Sequence, residues 1–310
     1  MRAIPGGSVG LLLAPPGYGS TTAVIDALSG LQTVWVELKH RPDSALGQRL
    51  LEAVDSGSDW LVIDGLPDDP ESLTTVFETV TTLPSHMRLV VTGRHQMPAL
   101  IRSCGLRIAL HLDASDLAMR DDDARRLIHR ACPELDMDTT AHIVDRAEGW
   151  PAALAVAGVL ARQRRDADWL DTKGPDVLFA DWFAALPEDL QAWLLATSVL
   201  DELSVAIADA CFSQGSSAEA LEELALGNGY LSEVPAPAGH EGRWWRRHGL
   251  LTTYLRQRGT NLAARHARAA SWFLDAGDVH RGLAHLIAAG DLNTAGTVLR
   301  QHEQQLFRQG

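Results

Sequence analysis

VGLLLAPPGYGSTT, residues 9–22, runs from an apolar stretch through a proline- and glycine-rich turn into Thr21 and Thr22. A strand that ends at Pro15-Pro16-Gly17 and passes into a helix is the setting of a phosphate-binding loop, G-x-x-x-x-G-K-[ST]. Gly17 and Gly19 suit a tight turn whose backbone N–H groups converge on an anion, and the helix adds its positive dipole end. Thr21 stands where a magnesium-binding hydroxyl belongs. Two positions depart from the pattern: Ala14 replaces the first glycine and Ser20 replaces the lysine. That lysine sets a cation against the outer phosphates, a gross Coulomb term of roughly 4 kcal/mol at ~4 Å and an effective dielectric of ~20. Serine donates one hydrogen bond and no charge, so weak nucleotide binding and no phosphoryl transfer are expected. A plain strand-to-helix turn is the other reading of the same spacing.

The flanking sequence extends the pattern. Short apolar runs at 33–38 (TVWVEL), 60–64 (WLVID), 88–92 (RLVVT) and 107–112 (RIALHL) alternate with helical patterns at 21–29, 44–54, 71–82 and 98–103. Strands spaced by helices predict βαβ units and a mainly parallel sheet with helices on both faces, an α/β domain over residues 1–113. The nearly continuous apolar strands fit a sheet covered on both sides. Asp64 closes WLVID, where a Walker B aspartate would hold magnesium through water; it also reads as an ordinary polar strand end. Gly65 follows, where active ATPases of this kind often carry a second acid. The lysine and that acid are both missing, and both losses disable the same reaction.

Residues 114–170 read as a helical domain. Asp121-Asp122-Asp123 sits in a first helical turn, opposite the helix dipole, in preference to a metal site. Further helices are predicted at about 139–147 and 151–163, and 164–175 (RRDADWLDTKGP) reads as a polar linker. A second module starts near Asp176. Leu190, Trp193, Leu194 and Thr197 keep helical spacing, and Ser216-Ser217-Ala218-Glu219 has the capping-box pattern. That helix is predicted to stop at Gly227-Asn228-Gly229. Strands at 230–234 and 243–247 follow, and His248 opens a helix through Arg258, a winged-helix arrangement over 176–258. Residues 260–310 are helical, with breaks at 275–278 (DAGD) and 288–291 (AAGD) thirteen residues apart. This resembles the start of a TPR-like stack of helical hairpins, which needs about three repeats, so a fragment or a shortened relative is expected.

Composition excludes several functions. The 310 residues hold 27 Lys and Arg against 40 Asp and Glu, a net charge of −13. This opposes direct DNA binding and docking on an anionic membrane. Arg243, Trp244, Trp245, Arg246 and Arg247 could be drawn as a DNA-contacting wing, but residues 219–226 (EALEELAL), where a recognition helix would lie, are acidic. Cys104, Cys132 and Cys211 form no CxxC pairing, as expected of a reducing cytoplasm. No apolar run reaches membrane-spanning length. His280 and His285 are off the face-sharing helical spacing and read as surface or packing residues.

Taken in order, these pieces resemble the regulatory ATPase region of MalT-like, LuxR-type transcriptional regulators, members of the STAND class of AAA+-related P-loop NTPases. LLLAPPGYGSTT resembles the family's phosphate loop, WLVIDGL its Walker B strand and RLVVTGRHQMP its sensor strand. AEGWPAALAVA, LLATSVLDELS, GRWWRRHGLLTTYLR and the tail HARAASWFLDAGDVHRGLAHLIAAGD resemble its later segments. The resemblance implies that Gly17, Gly19, Ser20, Thr21 and Thr22 line the phosphates of ADP or ATP, with Thr21 and Asp64 toward Mg. It implies that Arg94 is the sensor arginine, that Pro151 sits near the adenine in a helical lid, and that His248 touches the phosphates of bound ADP. The residue-level alternatives are a surface arginine at a strand end, a proline starting a helix, and a histidine capping a helix or packing in a core. The chain departs from the family in having only residues 1–8 before the first strand, and no LuxR-type helix-turn-helix after the last helix.

The expected function is a regulatory nucleotide-switch module with a degenerate, non-hydrolysing site, not an enzyme, that self-associates or binds a protein partner. The alternative is a nucleotide-free interaction scaffold of the same descent. A slow ATPase would need Lys39 or Lys173, the chain's only lysines, to replace the missing charge.

Overall fold

A computed structural model describes residues 4–67, 69–95, 97–164, 169–211, 217–226 and 230–309, with side chains described outside 163–170 and 303–310. The chain divides into two compact units, residues 1–165 with 225–229, and residues 166–224 with 230–310. Ser216, the stop at 227–229 and residues 165–168 of the expected linker lie outside the described residues.

In the first unit β1 (Val9–Leu13), α1 (Ser20–Leu28), β2 (Thr33–Glu37), α2 (Leu46–Val54), β3 (Trp60–Leu66), α3 (Pro70–Thr82), β4 (Arg88–Gly93), α4 (Pro98–Cys104) and β5 (Ile108–Leu112) alternate as the sequence predicts. The five strands form one parallel sheet in the order β2-β3-β4-β1-β5. Period-two alternation splits each inner strand between two cores. Leu11, Leu13, Leu61, Ile63, Leu89 and Val91 face α2, α3 and α4. Leu12, Trp60, Val62 and Val90 face Val24 and Leu28 of α1. Each such fully buried side chain contributes about 1.5–3 kcal/mol of transfer free energy. The expectation of strands covered on both faces holds for β1, β3 and β4. It fails for β2 and β5, which are edges and keep residues such as Trp35 exposed.

Helix starts follow capping chemistry. Asp69 accepts from the Ser72 N–H ahead of Pro70, and Asp136 accepts from the Thr139 N–H. After β5 come α5 (Ala114–Leu117), α6 (Asp121–Ala131), α7 (Met137–Ala147) and α8 (Pro151–Arg164). The acidic triplet occupies the first turn of α6, where Asp123 pairs with Arg120 and Arg126. No cluster of metal-ligating side chains occurs among the described residues.

The second unit holds α9 (Trp169–Thr172), α10 (Gly174–Ala184), α11 (Glu188–Ala196), β6 (Glu202–Leu203), α12 (Val205–Cys211), α13 (Ser217–Leu226) up to Leu224, β7 (Leu231–Val234), β8 (Trp244–Arg247) and α14 (Gly249–Arg258). Two of these helices correct the linker expectation. The Gly174-Pro175 pair, read as a chain break, opens α10, because proline is welcome in a first turn whose N–H has no intrahelical partner. The antiparallel sheet has the order β6-β8-β7, with β7 and β8 as the wing. β6 is two residues long and too short to show alternation in the sequence. Trp244, Trp245 and Arg247 of the wing are buried, and Arg243 pairs with Glu233 across the hairpin. The Arg247 guanidinium donates to the Thr197 and Leu200 carbonyls and to Thr197 Oγ1, at 3.0–3.3 Å. It is a buried packing element of β8.

α15 (Leu262–Asp275), α16 (Val279–Ala289) and α17 (Leu292–Gln309) complete the chain. Gly277 and Gly290 turn the two breaks in left-handed conformation, with φ of 81° and 80°. The Asp278 and Asp291 side chains cap the helices that follow. Between α15 and α16, His266 Nδ1 and His285 Nδ1 are 2.8 Å apart. Burial pushes both imidazoles below their ordinary pKa, His285 to about 4, where His266 adds to the effect. No described helix is long and apolar enough to cross a membrane.

Candidate functional site

β1 lies between β4 and β5, so the connection from β1 to β2 runs to one side of it and the connection from β4 to β5 crosses to the other. In open α/β sheets the crevice at the carboxyl ends of strands beside such a switch point is the usual ligand site. Here that crevice is a cleft of about 300 Å³ whose lining includes Gly17, Gly19, Ser20, Thr21, Thr22, Thr92, Arg94 and His40. Six of the nine expected site residues, Gly17 through Arg94 without Asp64, therefore share one cleft. Asp64 joins them through hydrogen bonds.

The loop has the shape its glycines require. Gly17 and Gly19 have φ of 83° and 78°, in the region that L side chains avoid. Gly19 caps α1 with no side-chain acceptor, so the first-turn N–H groups of the helix carry no side-chain cap. Among the described residues nothing lies within 4 Å of a Cβ built on Gly19. A Cβ on Gly17 would meet Ala152 Cβ at 2.5 Å and Trp150 Nε1 at 2.9 Å. The start of α8 is thus pressed onto the loop. Trp150 Nε1–H donates to the Pro16 carbonyl at 3.1 Å, and the Ala152 N–H donates to the Gly17 carbonyl at 3.1 Å. The Tyr18 ring stacks on Trp150 at 6.4 Å between centroids, and burial raises the Tyr18 hydroxyl to a pKa of about 12. The GWPAAL segment braces the loop.

Asp64 Oδ1 accepts from Thr21 Oγ1 at 2.9 Å and from Thr92 Oγ1 at 2.6 Å. Thr92 Oγ1 in turn accepts from the Gly65 N–H at 2.9 Å. The hydroxyl and carboxylate expected to face a cation are adjacent. Thr92 went unnoticed in the sequence, where it is one more strand-end residue.

Gly65 sits in a bulge between β3 and β4 with φ of 77°. A Cβ there would meet the backbone nitrogens of Lys39 and His40, both at 3.2 Å. The place where a second acid would start is covered by the β2–α2 loop. His40, which sequence reasoning passed over, comes from that loop; only contact with Gly65 reveals it. Lys39 is exposed and paired with Glu37 at 3.9 Å, and is absent from the cleft lining.

Pro151 is the first residue of α8, the placement its alternative reading allowed, and is not among the cleft-lining residues. His248 lies in the second unit, where it caps α14 by accepting from the Leu250 N–H at 3.2 Å.

The residues present fit a phosphate ligand with a divalent cation. A glycine cradle opens onto an uncapped helix start, Thr21 and Asp64 are adjacent, and the buried His40 Nδ1 has no hydrogen-bond partner among the described residues.

Residues 179–269 match the MalT winged helix domain. The chain is 25% identical over 245 residues to the HTH-type transcriptional regulator MalT of Vibrio cholerae, covering 74% of this chain and 27% of that protein. It is 26% identical over 242 residues to the serine/threonine-protein kinase PknK of Mycobacterium tuberculosis, covering 72% and 21%. The chain thus spans about a quarter of the length of these relatives. Similar solved structures include a STAND protein with a tetratricopeptide repeat sensor from Pyrococcus horikoshii, at TM-score 0.39 and 12% identity, covering 99% of this chain and 49% of that one. A Thermotoga maritima RuvB mutant matches at TM-score 0.43 and 19% identity, covering 74% and 83%. Residues 179–269 of this chain are thus similar to the MalT winged helix domain, and the chain as a whole is similar to the MalT transcriptional regulators.

Proposed function

We propose that the chain is the regulatory nucleotide-switch module of a MalT/LuxR-type STAND transcriptional regulator, and that its cleft takes ADP or ATP with Mg weakly and does not hydrolyse it. The observation that carries this reading is the cleft itself. A glycine loop and an uncapped helix start face Thr21 and Asp64, while Ser20 and Gly65 stand where a cation and an acid are needed. Gly17, Gly19, Ser20, Thr21 and Thr22 would receive the phosphates, and Thr21 with Asp64 would face the metal, which supplies charge neutralisation when bound. Arg94 would approach the outer phosphate. Pro151 near the adenine and His248 on the phosphates remain part of the proposal for a closed state.

The reading against hydrolysis rests on sterics as well as on missing groups. An acidic side chain at 65 would have to displace the Lys39 and His40 backbone. The nucleotide then acts by differential affinity for two arrangements of the protein, shifting their balance toward self-association or a protein partner. Arg247, Trp244 and Trp245 are occupied in packing, which supports a wing that does not read DNA.

Calorimetry with ADP and ATP, with and without magnesium, together with a phosphate-release assay, tests the reading. Binding without turnover is expected. Magnesium-dependent turnover by the purified protein would refute the non-hydrolysing site, and absence of any nucleotide binding would leave the interaction scaffold as the function.

A further inference from the structure

The proposed nucleotide cleft lacks the loop lysine, and it contains a histidine that no phosphate-loop pattern asks for. Lys39 and His40 both adopt left-handed backbone conformations, with φ of 53° and 57°. Two successive non-glycine residues there are costly, and such strain persists where the surrounding structure over-determines it. The fixing contacts are visible. The His40 N–H donates to the Gly65 carbonyl at 2.7 Å, and the Leu38 N–H donates to the Asp64 carbonyl at 2.9 Å. His40 Cε1 would lie 3.3 Å from a Cβ on Gly65. A side chain at 65 would crowd the imidazole in this position.

Once there, the ring is a member of the cleft lining together with Gly17, Gly19 and Arg94. The imidazole hydrogen-bonds the Leu66 backbone, while its Nδ1 is buried and has no partner among the described residues. A buried polar atom without a partner is the exception in folded proteins and calls for a ligand or another explanation. The charged groups around the ring are Arg94, His95 and Asp64. Burial first, then Arg94, holds the imidazole below its ordinary pKa, with His95 adding to this and the Leu66 hydrogen bond and Asp64 opposing it. A phosphate between His40 and Arg94 would favour the protonated ring and accept from its Nδ1–H, so binding draws a proton onto an imidazole that is otherwise held below its ordinary pKa.

We propose that His40 is a phosphate-binding residue of this chain, standing in for the absent loop lysine against a nucleoside di- or triphosphate. The assignment rests on the nucleotide reading given above and names the side chain that makes it work. It also explains a correlated pair of departures. Ser20 removes the cation from the loop, and Gly65 removes the acid whose space the replacement cation needs.

The test compares wild type with His40→Asn by calorimetry, using ATP, ADP and adenosine in the presence of magnesium. Asparagine tolerates the left-handed backbone and cannot carry charge, so the loop is kept and the cation lost. A thermal melt of each protein checks the fold. The expected result is at least about a tenfold loss of ATP and ADP affinity in His40→Asn, the scale of one charge-assisted hydrogen bond, with adenosine affinity unchanged. His40→Lys retains phosphate affinity. Equal ATP binding by wild type and His40→Asn overturns the assignment and leaves the nucleotide site standing. A loss shared equally by adenosine also overturns it, because it marks a role in shaping the cleft alone. No binding of any nucleotide by wild type overturns both this assignment and the reading on which it rests.

Discussion

Replacing Trp150 by phenylalanine measures how far the GWPAAL segment holds the phosphate loop in shape. Trp150 is 2% exposed, and its Nε1–H donates to the Pro16 carbonyl at 3.1 Å. Phenylalanine keeps the first ring near Gly17 and Tyr18 but removes this donor. Losing the hydrogen bond and stranding the carbonyl costs about 1 kcal/mol. The smaller ring forfeits about another 1 kcal/mol of buried apolar area. A total of about 2 kcal/mol in a unit of this size corresponds to roughly 4–8 °C in Tm. Because the chain has two units, the melt is followed by circular dichroism with each transition fitted separately. Hydrogen exchange read by mass spectrometry supplies the local measurement: amides in residues 15–20 should exchange faster in Trp150→Phe, while β3 and β4 keep their protection. Trp150→Ala should cost about 3–5 kcal/mol and release the loop further. An unchanged Tm together with unchanged exchange in the loop would refute the claim that α8 braces it.

Three further perturbations probe other parts of the molecule. Gly65→Glu should destabilise the first unit by about 1–2 kcal/mol from the left-handed backbone alone, and should give no ATPase activity because the side chain meets the Lys39 and His40 nitrogens; a melt and a phosphate-release assay check both. Arg247→Met leaves the Thr197 and Leu200 carbonyls without their donor and should cost the second unit about 3 kcal/mol, read from a urea unfolding midpoint. Burial lowers His285 to a pKa of about 4, so the unfolded chain takes up the proton first as pH falls. The contribution is complete above pH about 6.5 and is lost progressively toward pH 4. Its slope should be less than about 1.4 kcal/mol per pH unit, because the ring is partly screened by solvent. His285→Leu should flatten that slope in unfolding curves taken from pH 7 to 4.5.

Residues 9–22 and the apolar runs around them were enough to specify the parallel sheet, because strand alternation and loop glycines are local properties of the chain. Asp278, Asp291, Gly277 and Gly290 likewise announced the helix breaks they make, since capping and left-handed turns act within a few residues. Gly174-Pro175 misled for the same reason. Its local signal fits a break and a helix start equally, and only packing of α10 selects one. The cleft was legible in part: the glycines, Thr21 and Thr22 stood out in one motif, and Arg94 followed from the family resemblance, and all of them line it. His40, Thr92 and Trp150 were not, because each acts on a residue far from it in sequence. Their roles depend on β3 lying between β2 and β4 and on α8 closing onto Gly17. Local sequence determined which elements form and that Ser20 stands where the loop pattern has lysine. Tertiary structure decided what faces the loop, because a side chain enters a site through the packing of distant backbone, and no periodicity along the chain records that.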